Sequence, residues 1–278
     1  MTTIQGLFEV PDDYSPPPPH EEERKDYFYQ WIESAIKKVF RAQGTFTLVR
    51  GLDNIPATGG ALIAANHTGW FDFIFSAVGP HVAGKRLVRF MAKKEVFSAP
   101  VIGPLMRGMR HVPVDRAAGA DSIDSAVDWI QNRGALVGIF PEGTISRSFE
   151  LSDFKTGAAR IAQRAGAPLI PCAIWGSQRI WTKDLPRHLG RAKIPVIIRY
   201  GEPVSLEGTP EEVTARLKQA LGELLELNRA EYAERFGPFP DGERWIPASM
   251  GGAAPTLEKA KEMYRRERAE RADRKHGK

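Results

Sequence analysis

A single cysteine, Cys172, stands among the 278 residues. No disulfide can form within the chain, and a reducing, cytoplasmic location is expected. Long apolar runs are missing too. Stretches such as "ALIAA" and "IPVII" fall far short of the ~18–20 residues a membrane helix needs. The first 23 residues contain no Lys or Arg and no apolar core, so no secretory leader is expected there. Finger spacing and aromatic-interleaved basic motifs are lacking, which argues against a nucleic-acid partner. No second His or Cys cluster offers metal ligands, and no Gly-x-Ser-x-Gly elbow offers a serine nucleophile.

What is present is ordinary globular composition, 42% hydrophobic and 26% charged, in a length that suits one substantial domain with appendages. The net charge of +5 is unevenly placed: residues 257–278 hold nine Lys/Arg against five Asp/Glu. That tail reads either as a solvated, partly helical segment or as one drawn to anionic lipid.

Residues 1–22, acidic and rich in proline, are expected to be a disordered arm. Residues 23–43 follow as an amphipathic helix, because Phe28, Trp31, Ile32, Ala35, Ile36, Val39 and Phe40 recur at three- and four-residue spacing. With lysines around that stripe, the helix either rests in a membrane interface or packs on its own core. Residues 44–236 alternate apolar runs with helical patterns. The strand candidates are "TFTLVR", "GALIAA", "RLVRFM", "HVPV", "ALVGIF", "PLIPCAI" and "IPVIIRY". This alternation predicts an α/β domain with a largely parallel or mixed sheet flanked by helices. A last long helix is predicted from Thr209, whose cap Glu212 can close, to about Arg235. Residues 237–278 read as a turn-rich linker and the charged tail.

Each polar cluster of interest comes directly after a strand candidate. "NHTGWFD" follows "GALIAA", "DR" follows "HVPV" and "PEGT" follows "ALVGIF". If these strands run parallel, the three clusters converge on one sheet edge, where ligands of open α/β sheets bind. His67 and Asp72 are five residues apart, which in a continuous helix would turn them ~140° from each other. A turn at Gly69 instead lets the carboxylate accept one imidazole N–H and leave the other nitrogen free as a general base. A dyad with no protein nucleophile must activate a hydroxyl or water on the substrate. Arg116 supplies a guanidinium suited to phosphate. Glu142, Gly143, Thr144, Arg147 and Lys155 surround a second strand end, and Lys155 precedes a helical pattern whose amides could share an anion.

These blocks resemble the four motifs of the glycerolipid acyltransferases, the lysophosphatidic acid acyltransferase family. "NHTGWFD" is similar to its Asn-His-x-x-x-x-Asp signature, "MAKKEVFSAPVIGPLMRGMRHVPVDR" to its second block, "FPEGT" to its third and "PLIPCAI" to its fourth. The resemblance spans residues 45–204. It implies acyl transfer from acyl-CoA or acyl carrier protein to the hydroxyl of 1-acyl-glycerol-3-phosphate, by a peripheral enzyme on the inner face of the cell membrane. No cofactor beyond the thioester co-substrate is implied. His67 would be the base and Asp72 its orienting partner; Arg116, Glu142 and Gly143, with Lys155, would bind the acceptor's glycerol phosphate. Thr144 belongs to the same block. Two departures stand out: Gly69 where the family often has Ser, and Ile145 where it usually has Arg, with Arg147 the available substitute. The second departure keeps other acceptors open, namely another lysophospholipid, glycerol 3-phosphate or an alcohol without phosphate. A non-catalytic lipid-binding protein and a hydrolase complete the alternatives.

Overall fold

The computed structural model describes residues 1–21, 25–100, 102–115 and 119–276. Its frame is one nine-stranded sheet in the order β1-β2-β3-β9-β8-β4-β7-β5-β6. The strands are β1 Thr2–Ile4, β2 Phe8–Val10, β3 Phe46–Arg50, β4 Ala61–Ala65, β5 Val88–Lys93, β6 Val112–Val114, β7 Leu136–Ile139, β8 Leu169–Trp175 and β9 Pro195–Tyr200. All seven apolar runs predicted as strands are therefore strands, β3 to β9.

The sheet is mixed in a simple way. β8, β4, β7, β5 and β6 are mutually parallel, β2, β3 and β9 are mutually parallel, and the two blocks meet at the antiparallel β8–β9 pair. Four carboxyl-terminal strand ends, those of β4, β6, β7 and β8, thus share one edge with that of β5. The strand ends that precede Asn66-His67, Asp115 and Pro141-Glu142 therefore share an edge, as expected of them.

Helices cover both faces, so the strands are buried on both sides and read as continuous apolar runs. In β4, Ala61, Ile63 and Ala65 join one cluster with Phe40, Phe75, Val78 and Val82, while Leu62 and Ala64 join the other with Ala126, Ile130, Ile161 and Leu217. The first cluster lies under α1 (Tyr27–Gln43) and α2 (Asp72–Val82). The second lies under α5 (Gly119–Gln131), α6 (Gly157–Ala165) and α7 (Pro210–Phe236). Two short helices, α3 (Lys94–Phe97) and α4 (Ile102–Gly108), link β5 to β6. α7 opens with the expected capping box: Thr209 N–H donates to Glu212 at 2.7 Å and Glu212 N–H to Thr209 at 3.2 Å.

The amino-terminal segment corrects the sequence reading. The arm expected over residues 1–22 is not disordered from residue 2 to 10, because β1 and β2 extend the sheet, β2 pairing in parallel with β3. Leu7, Phe8 and Val10 are buried, and Glu9 between them is ion-paired with Arg50 and Arg235. Three-residue strands are too short to show a period, and the partners that neutralise Glu9 come from far along the chain. The expected helix does form. It turns Tyr29, Ile32, Ile36 and Phe40 toward the body and leaves Tyr27, Phe28, Trp31 and Val39 exposed. No helix among the described residues is long and apolar enough to cross a membrane.

After α7 the chain turns back along the second face. Phe239 and Trp245 pack on Trp175 and Tyr232, and the tail becomes a helix, α8 (Leu257–His276), anchored by buried Ala260 and Tyr264.

Candidate active site

Where β4 ends, Asn66 keeps the sheet's hydrogen bonding going with its side chain. Its amide donates to Ile174 O at 3.0 Å and accepts from Ile174 N–H at 2.7 Å. The backbone is thereby free to turn, and His67 follows at the sheet edge. Asp72 begins α2 and points back into the turn, fully buried. Its Oδ2 accepts from Thr68 N–H at 2.5 Å, Gly69 N–H at 2.7 Å and His67 Nδ1 at 3.1 Å. Its Oδ1 accepts from the Ser177 hydroxyl at 2.5 Å. Four donors hold one carboxylate, and the carboxylate in turn fixes the imidazole with its proton on Nδ1. His67 remains 18% exposed, and its Nε2 has no partner among the described residues. A neutral histidine so held presents an acceptor nitrogen outward.

Gly69 has a steric reason to be glycine here. An added Cβ would lie 3.1 Å from Ser177 O and 3.2 Å from Trp181 O, tight for backbone neighbours. The turn is packed against the segment that follows β8. Trp70 N–H donates to Trp181 O at 2.9 Å, and Thr182 Oγ1 to Thr68 O at 2.5 Å.

The loop after β7 lies on the other side of His67. Ser146 N–H donates to His67 O at 2.6 Å, and Phe140 stacks on the imidazole with ring centroids 4.1 Å apart. Glu142, expected to bind the acceptor, is turned inward. It accepts from His67 N–H at 3.0 Å through Oε1, and from Ser152 N–H and Oγ at 3.1 and 2.9 Å through Oε2. Burial raises its carboxyl above the usual range, although these hydrogen bonds pull the other way. Both oxygens hold protein: one ties down the backbone of His67 and the other the loop at Ser152.

Gly143 makes the turn at φ +68°, a conformation that L residues with a Cβ rarely adopt. Thr144 Oγ1 accepts from Lys183 Nζ at 3.1 Å. Arg147 is paired with Asp184 at 2.5 Å and Glu267 at 3.0 Å. Lys155 lies at the far side, lining a groove of about 750 Å³ with Met91, Asp115, Phe140 and Pro141. Arg116 lies outside the described residues. Sequence reasoning missed Ser177, Ser152 and Lys183, none of which stands in a motif that marks it. The buried His111, read as structural, accepts from Phe90 N–H through Nδ1 at 3.0 Å.

A partly exposed imidazole on a buried carboxylate, at the edge of a mixed α/β sheet, is an arrangement suited to acid–base chemistry. Comparison with known proteins narrows this. A family model described as Acyltransferase matches residues 47–175, the stretch that contains every described site residue from His67 to Lys155. The 1-acyl-sn-glycerol-3-phosphate acyltransferase of Bacillus subtilis (strain 168) is 37% identical over 179 residues, 63% of this chain and 82% of that protein. The chloroplastic 1-acyl-sn-glycerol-3-phosphate acyltransferase BAT2 of Brassica napus is 30% identical over 167 residues, 58% of this chain and 47% of that protein. The crystal structure of the 1-acyl-sn-glycerophosphate (LPA) acyltransferase PlsC from Thermotoga maritima matches with a TM-score of 0.57, covering 74% of this chain and 83% of that one. At 22% identity it bears on the fold alone. The chain belongs to the acyltransferase family, and it is an O-acyltransferase.

Proposed function

We propose that this enzyme moves a fatty acyl group from acyl-CoA or acyl carrier protein to the free hydroxyl of 1-acyl-glycerol-3-phosphate, making phosphatidic acid for phospholipid biosynthesis. The observation that carries the chemistry is the His67–Asp72 pair with Nε2 facing outward. Nε2 takes the proton of the acceptor hydroxyl as its oxygen attacks the thioester carbonyl. The tetrahedral intermediate then collapses, the C–S bond breaks, and the departing sulfur takes the proton back from the imidazolium. Asp72 holds the tautomer and stabilises the transient positive charge. No acyl-enzyme is needed: Cys172 is buried in β8 with its thiol pushed up by burial, and the Ser177 hydroxyl is spent on Asp72.

The names of the relatives support the acceptor, and the exposed aromatic residues of α1 support work at a membrane surface. Tyr27, Phe28 and Trp31 are exposed, and the same stretch of chain carries Lys25, Lys37, Lys38 and Arg41. Deleting residues 1–43 would remove two sheet strands, so the surface is tested by Trp31→Glu with Tyr27→Glu. Liposome flotation should weaken; unchanged flotation would overturn the membrane reading.

One observation favours a second reading. Ile145 is 3% exposed and Arg147 already faces two carboxylates, which suits an acceptor without phosphate. Thiol release from palmitoyl-CoA decides, with lysophosphatidic acid, other lysophospholipids, glycerol 3-phosphate, monoacylglycerol or no acceptor. Release that requires lysophosphatidic acid and disappears in His67→Ala is expected. Release without any acceptor would make the enzyme a hydrolase.

A further inference from the structure

Two cations, Arg147 and Lys183, and two carboxylates, Asp184 and Glu267, meet beside the Glu-Gly-Thr turn. Lys183 comes from the segment tied to the catalytic turn through Thr182 and Trp181. It reaches Thr144 Oγ1 at 3.1 Å and lies 3.5 Å from Glu267 Oε2. Arg147 approaches from the other side, with a terminal nitrogen 3.0 Å from the same oxygen. A single α8 carboxylate oxygen therefore sits between a guanidinium and an ammonium, next to a hydroxyl.

The helix that delivers it is fixed to the same loop. Tyr264 OH accepts from Arg147 N–H at 2.5 Å and donates to Ile145 O at 3.0 Å. Both cations lie over the Tyr264 ring, 5.3 and 5.5 Å from its centroid. The side chains of Arg147, Lys183 and Glu267 are 12, 13 and 24% exposed, so solvent screens the cluster only in part.

We propose that Lys183 and Arg147, with Thr144, form the seat for the acceptor's phosphate, and that Glu267 occupies this seat as an internal competitor until the acceptor displaces it. The inference rests on the reading of the acceptor as a lysophosphatidic acid. Ile145 is buried at the position where a family arginine would stand, so charge must come from elsewhere, and these are the cations the fold brings to that turn. With Glu267 withdrawn, Arg147 and Lys183 each lose a counter-charge, while Asp184 stays on Arg147. A phosphate monoester brings more charge and more acceptor oxygens than one carboxylate, and a guanidinium and an ammonium can each take several of them. Tyr264 can keep α8 in place while the Glu267 side chain alone swings out. Occupation by Glu267 taxes acceptor affinity by the fraction of time the seat is closed.

The test uses the full chain and two readouts. In steady-state thiol release from palmitoyl-CoA, Glu267→Gln should lower the KM for lysophosphatidic acid several-fold. Lys183→Gln should raise it about tenfold, the loss of a charge-assisted contact, and should erode the preference for lysophosphatidic acid over monoacylglycerol. Lys183→Met serves if Lys183→Gln folds poorly by circular dichroism. The second readout needs no catalysis: thermal stabilisation by inorganic phosphate should saturate at lower concentration in Glu267→Gln than in the parent protein and be lost in the Lys183 variants. A KM for lysophosphatidic acid that is unchanged or raised in Glu267→Gln, or phosphate stabilisation indifferent to both substitutions, would overturn the proposal. Phosphate stabilisation that behaves as stated in an enzyme that does not use lysophosphatidic acid would leave the seat standing and sink the acceptor reading instead.

Discussion

The two loops that flank His67 are held in opposite ways. The turn after β4 is held largely from within: seven residues supply the imidazole, the carboxylate and two of the backbone amides that hold that carboxylate, and Ser177 adds one donor from outside. The loop after β7 is held from a distance. Its carboxylate takes Ser152, its threonine takes Lys183, and its arginine takes Asp184 and Glu267. The first loop fixes an imidazole on a carboxylate that lies five residues away. The second loop brings together charged side chains whose partners lie far along the chain.

Several substitutions sharpen this contrast. His67→Ala removes the base and should cost about 10²–10⁴-fold in kcat, read by thiol release with lysophosphatidic acid while circular dichroism stays unchanged. Glu142→Gln keeps one acceptor oxygen and sets an amide N–H₂ against either the His67 N–H or the Ser152 donors, leaving a buried donor unsatisfied. That should cost about 1–3 kcal/mol of stability in urea unfolding and lower kcat by roughly tenfold through displacement of His67; a KM effect alone would mean that Glu142 touches the acceptor after all. Ser177→Ala deletes one of four donors to Asp72 and should cost about 1 kcal/mol of stability, with a rate loss of only a few-fold because three donors remain.

The smallest effect on activity should come from the other end of the ring stack that starts at His67. Phe140 stacks on His67, Phe90 on Phe140, and His111 packs edge-on to Phe90. One histidine faces outward and one is buried. Burial, aided by the positive charge of Arg89, holds His111 down to about 3 from the ordinary 6.5. A depressed folded-state value means that the unfolded chain binds the extra proton first. The stability of neutral His111 is thus fully present above pH 6.5 and lost as pH falls toward 3. Between pH 7.5 and 5 urea unfolding should show a loss of up to about 2 kcal/mol, and His111→Phe should flatten that slope while leaving the pH profile of kcat in place.

Legibility in the sequence followed the same division. Strands β3 to β9 were readable because each is an apolar run bounded by turn residues, and the dyad was readable because a strand ends at Asn66-His67 with a glycine before Asp72. β1 and β2 were not, being three residues each and dominated by the prolines that follow. The inward aim of Glu142 was hidden because its partner Ser152 is one serine among several. Lys183 was hidden because no spacing relates it to Thr144. Arg147 was legible as a cation near the turn, but not as one already paired with α8.

By itself the sequence determined the α/β alternation, the strand ends that carry the polar clusters and the pairing of His67 with Asp72, since these depend on periodicity and on contacts within a single turn. Tertiary structure alone decided the antiparallel junction at β8–β9, the capture of the amino terminus by the sheet, the donor from Ser177 and the meeting of Lys183, Arg147 and Glu267. The reason is physical. Charges and hydrogen-bonding groups act over a few ångströms in space, and only the folded chain brings together residues that lie 39 and 120 positions apart.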